Sequence, residues 1–351
     1  MADEASGAAR RPRASESAYA ELRRQVVAAG LLQRAHRYYL VRSAVSYAPL
    51  GVAVLLGFTL PQSLAATAVI ALLVGFGLVQ VAFVGHDAGH LAVFTGVRAN
   101  HLLGLACWSL TTGVGFRYWC DRHTRHHAQT NDLEDDPDIA WTVLIAMDEE
   151  QAAARRGWLR RITPYQALLG LGIIPLLAFW MRLDGWAFAL RRLRGGQRVA
   201  EVALLAANCL VWVLAGAADG RWAAIFLGSQ VVAGVYLFCA IAPNHKGMPF
   251  WSKGAPLSFV ERQVLSSRNV TPHPAWDFLF GGLNYQIEHH LFPSMPRANL
   301  RRAQRLVREY CAQHRIPYTE TGLFASYSIA LRYLHSLGEP LRTAHAAARE
   351  A

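Results

Sequence analysis

The sequence is short of charge and contains almost no lysine. Charged residues make up 17% of its 351 positions and apolar residues 53%, and only 2 of the 35 basic residues are Lys. The net charge of +11 could indicate a nucleic-acid-binding protein. However, the arginines cluster between long apolar runs and not along one amphipathic face. This pattern is typical of a membrane protein with basic cytoplasmic segments.

Cysteine is also scarce and has no informative spacing. No two of the five cysteines form a CxxC pair, so neither a disulfide framework nor a zinc ribbon is indicated. We interpret them as reduced packing residues. They are Cys107, Cys120, Cys209, Cys239 and Cys311.

Several catalytic motifs are missing as well. The sequence contains no HExxH, so a zincin-like hydrolase is poorly supported. It has no GxGxxG or Walker A run and no Ser-based nucleophile elbow, so neither a nucleotide site nor an acyl hydrolase is indicated. The first 42 residues are polar and lack the short apolar core of a signal peptide. We expect residues 1–17 to be a disordered tail.

Long apolar runs predict four membrane spans, at about residues 43–60, 64–84, 199–218 and 223–242. Tight turns join them into two hairpins. Ala167–Met181 is apolar enough for a fifth span, but its crossing would place Arg191 and Arg192 on the far side and separate the histidine motifs described below. We therefore expect this segment to be interfacial.

These runs predict an all-α polytopic membrane protein. It has four transmembrane helices in two hairpins and a cytoplasmic helical cap that carries the histidines. One domain covers residues 18–335, and residues 336–351 form a C-terminal tail. The excess of Arg over Lys fits a GC-rich bacterial genome. We therefore expect a multi-pass protein of a bacterial plasma membrane, with both termini and the active site cytoplasmic.

Histidines recur at helical spacing in three places. Residues three and four apart lie on one face of a helix, where side chains can bind the same metal ion. In one segment all three such positions are histidine, and in another the first is glutamine. A third segment has an i, i+4 pair. The sets are His123, His126 and His127; Gln286, His289 and His290; and His86 and His90.

With His245, which follows the last predicted span, the candidate histidines number eight, too many for one ion. Two metals with four or five ligands each fit better. Carboxylates are sparse among these ligands, so we expect nearby acids to orient imidazole rings. The candidate ligands are His86, His90, His123, His126, His127, His245, His289, His290 and Gln286. The candidate orienting acids are Asp87, Asp132, Asp136 and Glu288.

The motifs resemble the three histidine boxes of the membrane-bound fatty acid desaturase family. HDAGH at 86–90, RHTRHHAQTND with DPDI at 122–139, and NYQIEHHLFP at 284–293 match in order and spacing, within a resemblance covering about residues 40–310. The terminal QxxHH is similar to front-end acyl-lipid and actinobacterial acyl-CoA desaturases, and PNHKGMP at 243–249 favours the latter. One departure is Ile241, where members often carry Asn.

The resemblance implies a di-iron centre that uses O2 to introduce a cis double bond into a long-chain acyl substrate, as acyl-CoA or acyl-lipid. It also implies electrons from a carrier of the ferredoxin, cytochrome b5 or flavin reductase type. The His-Pro-Gly-Gly motif of a fused cytochrome b5 domain is absent, so we expect a separate donor protein. Arginines near the membrane are candidates for the substrate head group. These are Arg117, Arg122, Arg182, Arg191 and Arg192.

Two alternatives remain. A di-iron hydroxylase or ketolase acting on a lipid chain shares hydrogen abstraction and differs only in the fate of the carbon radical. A metal transporter or sensor would use the histidines as a conduit, and it predicts ionisable residues deep within the spans. The apolar cores of the four predicted spans contain none of the boxed residues.

Overall fold

The backbone of this computed structural model is described for residues 11–139 and 144–343, and side chains are described from residue 19 onward. Helices dominate these ranges. The first third of the chain contains α1 Arg11–Ala28, α2 His36–Thr59, α3 Leu64–Gly89, α4 Val97–Gly104, the π-helix Leu105–Thr112 and α5 Phe116–Ala128.

The central part of the chain contains six α-helices and two short 3-10 turns. The helices are α6 Glu149–Ala154, α7 Gly157–Ile162, α8 Gln166–Ile173, α9 Leu177–Arg191, α10 Gly195–Ala218 and α11 Arg221–His245. The turns, Thr163–Tyr165 and Ile174–Leu176, each contain a proline, which lacks the N–H that a continuous α-helix needs.

The C-terminal part combines short helices with one small pair of strands. The helices are α12 Phe259–Leu265, α13 Pro274–Leu279, α14 Gln286–Leu291, α15 Leu300–Gln313 and α16 Leu323–Ser336, with a 3-10 turn at Arg297–Asn299. The strands β1 Asn269–Val270 and β2 Glu320–Thr321 pair in parallel. This pair is too short to change the fold class, and the predicted helical character of the protein is confirmed.

Contacts within the chain define two compact units, each built from separate segments. Unit 1 comprises Met1–Gln33, Arg125–Ala167 and Ala242–Ala351, and unit 2 comprises Arg34–Thr124 and Leu168–Ile241. The boundary between them falls within α5. Neither unit is one continuous segment, so this division does not test the prediction of a single domain over residues 18–335.

Within the described residues, five helical segments are long and apolar enough to cross a membrane. Four of them correspond to the predicted spans, and the fifth contains Ala167–Met181. They are His36–Thr59, Leu64–Gly89, Gly157–Arg191, Gly195–Ala218 and Arg221–His245. Length and composition alone therefore do not confirm four spans, and the interfacial placement of the third segment stays a prediction.

The helix boundaries differ from the predicted ones near charged residues. Helix α2 begins at His36, ahead of the predicted start at residue 43, and it includes Arg42. The Arg42 side chain is buried and its Nη2 donates to Gln80 Oε1 at 3.0 Å, so the helix accommodates this charge. Helix α1 begins at Arg11, inside the predicted disordered tail. Residues 1–10 and 344–351 of the two predicted tails lie outside the described residues.

Unit 2 is built on the hairpin of α2 and α3, with α11 against α3. Close approach of α3 and α11 depends on Gly75, because a Cβ placed there would lie 2.6 Å from Val232 Cβ and 2.7 Å from Ser229 O. Ala53, Ile70 and Ile225 are buried in the shared core. Helix α3, which carries His86 and His90, is thus held on two sides within this unit.

Unit 1 is organised around a core shared by α1, α12, α14 and α15. Ile287 and Leu291 of α14 are buried there with Leu22 and Val307. Packing these side chains fixes the rotation of α14 about its axis, and therefore the direction of the histidines at 289 and 290. The apolar positions of the third box thus orient its polar ones.

Candidate metal centre

A first histidine cluster lies in unit 2, where α3 and α5 supply His86, His90 and His123. One ligand nitrogen from each lies within 4.8 Å of the others. The ring centroids are 4.8 Å apart for His86 and His90, and 4.9 Å from each of these to His123. His90 follows directly after the last residue of α3, four residues beyond His86, so helical spacing brings these two rings together.

Asp87, a predicted orienting acid, contacts His86. Its Oδ1 lies 3.1 Å from His86 Nδ1, and its Oδ2 accepts a hydrogen bond from Tyr39 Oη at 2.8 Å. All three side chains are buried. A carboxylate at Nδ1 favours the tautomer in which Nε2 is available to a metal.

A second histidine cluster lies in unit 1, where α5, α11 and α14 contribute His126, His245 and His290. One ligand nitrogen from each again lies within 4.8 Å of the others. The ring of His126 is 4.9 Å from that of His245 and 5.1 Å from that of His290, and all three are nearly fully buried. Three residues far apart in sequence thus converge at one point.

The second cluster has an acceptor at each Nδ1. Asp136 lies 3.0 Å from His126 Nδ1, and the carbonyl oxygen of Ser266 lies 2.9 Å from His245 Nδ1. Gln263 Oε1 is 2.9 Å from His290 Nδ1. Histidines that bind metals usually donate their second ring N–H to such acceptors.

The remaining predicted ligands also lie in unit 1. His127 stacks on His290 with ring centroids 4.1 Å apart, and it meets His289 edge-on at 4.7 Å. Gln286 Nε2 lies 2.9 Å from His245 Nε2, and Asn244 Nδ2 donates to Gln286 Oε1 at 3.2 Å. The amide is therefore next to a candidate metal ligand.

Two acids act directly on His126. Burial alone lowers the pKa of His126, but the negative charges of Asp136 and Asp138 outweigh it, so the pKa lies above its ordinary value. Asp138 Oδ2 is 3.6 Å from His126 Nδ1. Sequence reasoning missed Asp138, although it belongs to the DPDI segment that follows the second box.

Two other predicted acids have different partners. Asp132 Oδ1 accepts from the backbone N–H groups of Glu134 and Asp135, and its Oδ2 lies 3.6 Å from Arg262. Asp132 therefore organises a loop, because Asp side chains readily accept from nearby backbone N–H groups.

Glu288 points away from the histidine rings into the core of unit 1. It accepts hydrogen bonds from Asn269 Nδ2 at 2.7 Å and Tyr318 Oη at 2.8 Å. Burial raises the pKa of Glu288 to about 7. Its spacing next to His289 suggested an orienting acid, but α14 directs it to the opposite side.

Two of the predicted head-group arginines are used inside unit 2. Arg117 Nη1 pairs with Glu201 at 2.6 Å, and Arg182 donates to Asn208 Oδ1 at 2.7 Å and to the carbonyl of Thr112. These contacts satisfy buried oxygen acceptors, and the head-group role of the two arginines stays a prediction. Arg122 is half-buried, and Arg191 and Arg192 are exposed.

An apolar cavity of about 30 Å³ lies in unit 2 among α3, the π-helix, α9 and α11. Its wall includes Leu78, Trp108, Met181 and Leu237, with Gln230 as one of two polar residues. A cavity of this size is too small for a long acyl chain unless the side chains that line it move. Its lining is nevertheless of the kind that binds an alkyl chain.

The family model described as fatty acid desaturase matches residues 62–322 of this chain, and these residues include both histidine clusters. This chain belongs to the fatty acid desaturase family. The predicted resemblance is thereby confirmed.

Three relatives show how similar this chain is to individual desaturases. The Delta(6)-fatty-acid desaturase fat-3 of Caenorhabditis elegans is 29% identical, over 75% of this chain and 63% of its own length. The Delta(8)-fatty-acid desaturase of Euglena gracilis is 28% identical, over 90% and 77%. The Delta 8-(E)-sphingolipid desaturase of Kluyveromyces lactis is 27% identical, over 93% and 60%.

The chain spans about three fifths of the length of most of these relatives. All three organisms named are eukaryotes, so they do not support the predicted bacterial origin. Five apolar helices together with the family support a membrane protein.

Proposed function

We propose that this protein is an oxygen-dependent fatty acyl desaturase that introduces a cis double bond into a long-chain acyl substrate. The observation that carries the proposal is the pair of histidine clusters, one nearly fully buried and one partly buried, inside the matched family region. Relatives named for fatty-acid and sphingolipid desaturation support the class of reaction.

The donor set fits two iron ions. Imidazole nitrogen is a suitable ligand for iron, and each cluster supplies three such nitrogens. His86, His90 and His123 would hold one ion, and His126, His245 and His290 the other. His127, His289 and Gln286 would complete the coordination.

Iron, when bound, supplies with dioxygen the oxidising power that removal of hydrogen from an unactivated CH2 group requires. The residues of this chain hold the candidate metal ligands in position. Asp87, Asp136, Gln263 and the Ser266 carbonyl hold ring N–H groups and so fix the rotation of the imidazoles. The second cluster is nearly fully buried, and in the first His86 is buried while His90 and His123 are half-buried. This burial restricts the access of water, which limits side reactions of reactive species.

The substrate would be a long acyl chain, carried as acyl-CoA or acyl-lipid. The apolar cavity of unit 2 supports this choice, since its wall is almost entirely hydrocarbon. The exposed Arg191 and Arg192 remain candidates for an anionic head group. Electrons would come from a separate ferredoxin, cytochrome b5 or flavin reductase type of donor.

We further propose four membrane spans, with Gly157–Arg191 at the interface and with both termini and the active site cytoplasmic. Four crossings would keep the arginine-rich segments on one side, as charge bias requires.

Membranes containing the protein, supplied with a stearoyl substrate, a reductant and oxygen, test the reaction. We expect an olefin, identified by mass spectrometry of the lipid extract. An alcohol or ketone as sole product would instead support the hydroxylase or ketolase alternative.

Two variants separate the metal centre from general damage. His290→Ala removes a buried cluster residue, and we expect it to abolish product formation. His335→Ala changes an exposed histidine outside both clusters and is expected to be as active as the unmodified protein. Product from the His290 variant at the unmodified rate would contradict the proposal.

A further inference from the structure

A pair of tryptophans stands against the first histidine cluster. The indole of Trp119 stacks on the imidazole of His123, with centroids 4.5 Å apart and planes 27° apart. The same indole meets His86 edge-on at 5.2 Å and His90 at 5.9 Å. All three histidines of this cluster therefore contact one aromatic ring.

A second tryptophan supports the first from behind. Trp108, in the π-helix, stacks on Trp119 with centroids 5.2 Å apart and planes 18° apart. Both indoles are buried, at 3% and 8% exposure. Trp108 also lines the apolar cavity of unit 2, so the stack connects the wall of this cavity to the histidine cluster.

The space for both rings comes from glycines one turn apart in α3. A Cβ on Gly85 would lie 2.6 Å from Cδ1 of Trp108, and a Cβ on Gly89 would overlap the six-membered ring of Trp119. Each glycine directly precedes one of the two histidines, at positions 86 and 90. The HDAGH segment and the glycine before it thus supply two candidate ligands and also the surface on which the indoles lie.

A buried carboxylate connects the segments that carry the two tryptophans. Glu201 accepts from Ser109 Oγ at 2.5 Å in the π-helix and from the backbone N–H of Phe116 at 2.6 Å at the start of α5. It also pairs with Arg117. Since Trp108 and Trp119 belong to these segments, this contact fixes their separation.

We infer that the Trp108–Trp119 stack is a positioning device for the first metal site: it holds the His123 imidazole in place. Gly85 and Gly89 are required because larger residues would displace the rings. Aromatic stacking at this separation favours one relative orientation of the planes, which restricts rotation of the imidazole. The inference rests on the proposed metal centre and adds residues to its support.

Metal binding by the full-length protein in detergent tests this inference without turnover. After chelation, Co2+ is titrated while tryptophan fluorescence and the visible absorption of cobalt are followed. Trp119 is in contact with three candidate ligands, so we expect quenching that Trp119→Phe largely removes. Because residues that orient ligands typically contribute 10-fold to 100-fold to metal affinity, we expect Trp119→Leu to weaken binding at one of two sites by about 10-fold.

A glycine pair provides the matched control. Gly89→Ala adds one methyl group that displaces the Trp119 ring, and we expect it to weaken cobalt binding like Trp119→Leu. Gly51→Ala adds the same group to another helix, where nothing lies within 4 Å, and should bind cobalt like the unmodified protein. The circular dichroism couplet of stacked indoles should disappear in Gly89→Ala and in Trp119→Phe but persist in Gly51→Ala.

The inference would be overturned if Trp119→Leu and Gly89→Ala both lose the circular dichroism couplet but bind cobalt as tightly as the unmodified protein. The stack would then be dispensable for the metal site. If Trp119→Leu does not fold, Trp119→Phe and Gly89→Ala decide the question. Failure of the proposed function gives a different result, in which the unmodified protein binds cobalt but yields no olefin.

Discussion

At the scale of single residues, the candidate centre depends on side chains that hold other side chains. Gln263 contacts His290 through Oε1 and donates through Nε2 to the carbonyl of His127, so one amide connects two histidines. Thr130 Oγ1 also lies 3.1 Å from His290 Nδ1. Such contacts matter because a ring that rotates freely cannot keep a nitrogen directed at an ion.

Glu201 gives a stability prediction. Replacing it by Ala removes a fully buried carboxylate that accepts from Ser109, Phe116 and Arg117. The unpaired guanidinium and the lost hydrogen bonds should lower the free energy of unfolding by about 3 kcal/mol, which denaturant titration in detergent would measure.

Glu309→Ala is the control for that change. Its carboxylate faces Arg305 at 4.0 Å on the exposed side of α15, so the loss should be below about 0.5 kcal/mol. Equal losses for the two variants would contradict the assigned importance of Glu201.

Tyr333 gives a pH prediction. Burial raises the pKa of Tyr333 to about 12, and its hydroxyl donates to the carbonyl of Met147 at 2.6 Å. A raised pKa in the folded state means that the stabilisation is complete below the unfolded value of about 10 and is lost as pH rises through 12.

Unfolding followed between pH 9 and pH 12, a range chosen around these values, would measure this effect. We expect Tyr333→Phe to be less stable at pH 9 but to show a shallower decline above pH 10 than the unmodified protein. Tyr165→Phe, at an exposed position, should follow the unmodified curve. If the unfolding free energies of all three proteins change in parallel with pH, the pH dependence is not due to Tyr333.

At the scale of helices, the sequence predicts features that depend on one helix and misses contacts between elements that are distant in sequence. Spacing of i, i+3 and i+4 located the histidines of α5 and α14 because it depends on one helix alone. Asn244, Gln263 and Trp119 became visible only in the structure, since each contacts a cluster residue through packing between elements. Glu288 was assigned incorrectly because its neighbours in sequence are ligands, whereas its side chain belongs to the opposite face.

Packing of α3 against α11 gives an element-scale prediction. Gly75→Ala places a methyl group against Val232 and the Ser229 carbonyl, so the helices must separate. We expect a loss of about 1 to 3 kcal/mol in unfolding free energy, as for other overpacked sites. Gly216→Ala in α10, where the nearest atom is 3.6 Å away, should be neutral or slightly stabilising. A destabilisation by Gly216→Ala as large as that by Gly75→Ala would show that the close approach is not the cause.

At the scale of the whole molecule, composition identified a helical membrane protein, but it could not decide how many segments cross. Gly157–Arg191 qualifies by length and composition, while Pro164 and Pro175 each start a 3-10 turn within it. Hydropathy averages over a window and cannot detect such breaks, and charge bias offers only an indirect argument.

Single engineered cysteines on either side of this segment would decide its topology. We expect Glu150→Cys and Arg194→Cys to react with a membrane-impermeant maleimide from the same side, and Asp219→Cys from the opposite side. The five native cysteines are buried or half-buried, so background labelling should be low. Reaction of the first two from opposite sides would establish a fifth crossing and contradict the proposed topology.

The π-helix Leu105–Thr112 has a consequence for how chain length can vary in this protein. A π-helix contains more residues per turn than an α-helix, so deleting one residue converts a wide turn into an ordinary one. The residues on either side of the deletion would keep their orientation about the helix axis, whereas those inside the wide turn would change position. Trp108 would then leave its place beside Trp119, and a related chain that is one residue shorter here should have a different side chain in that place.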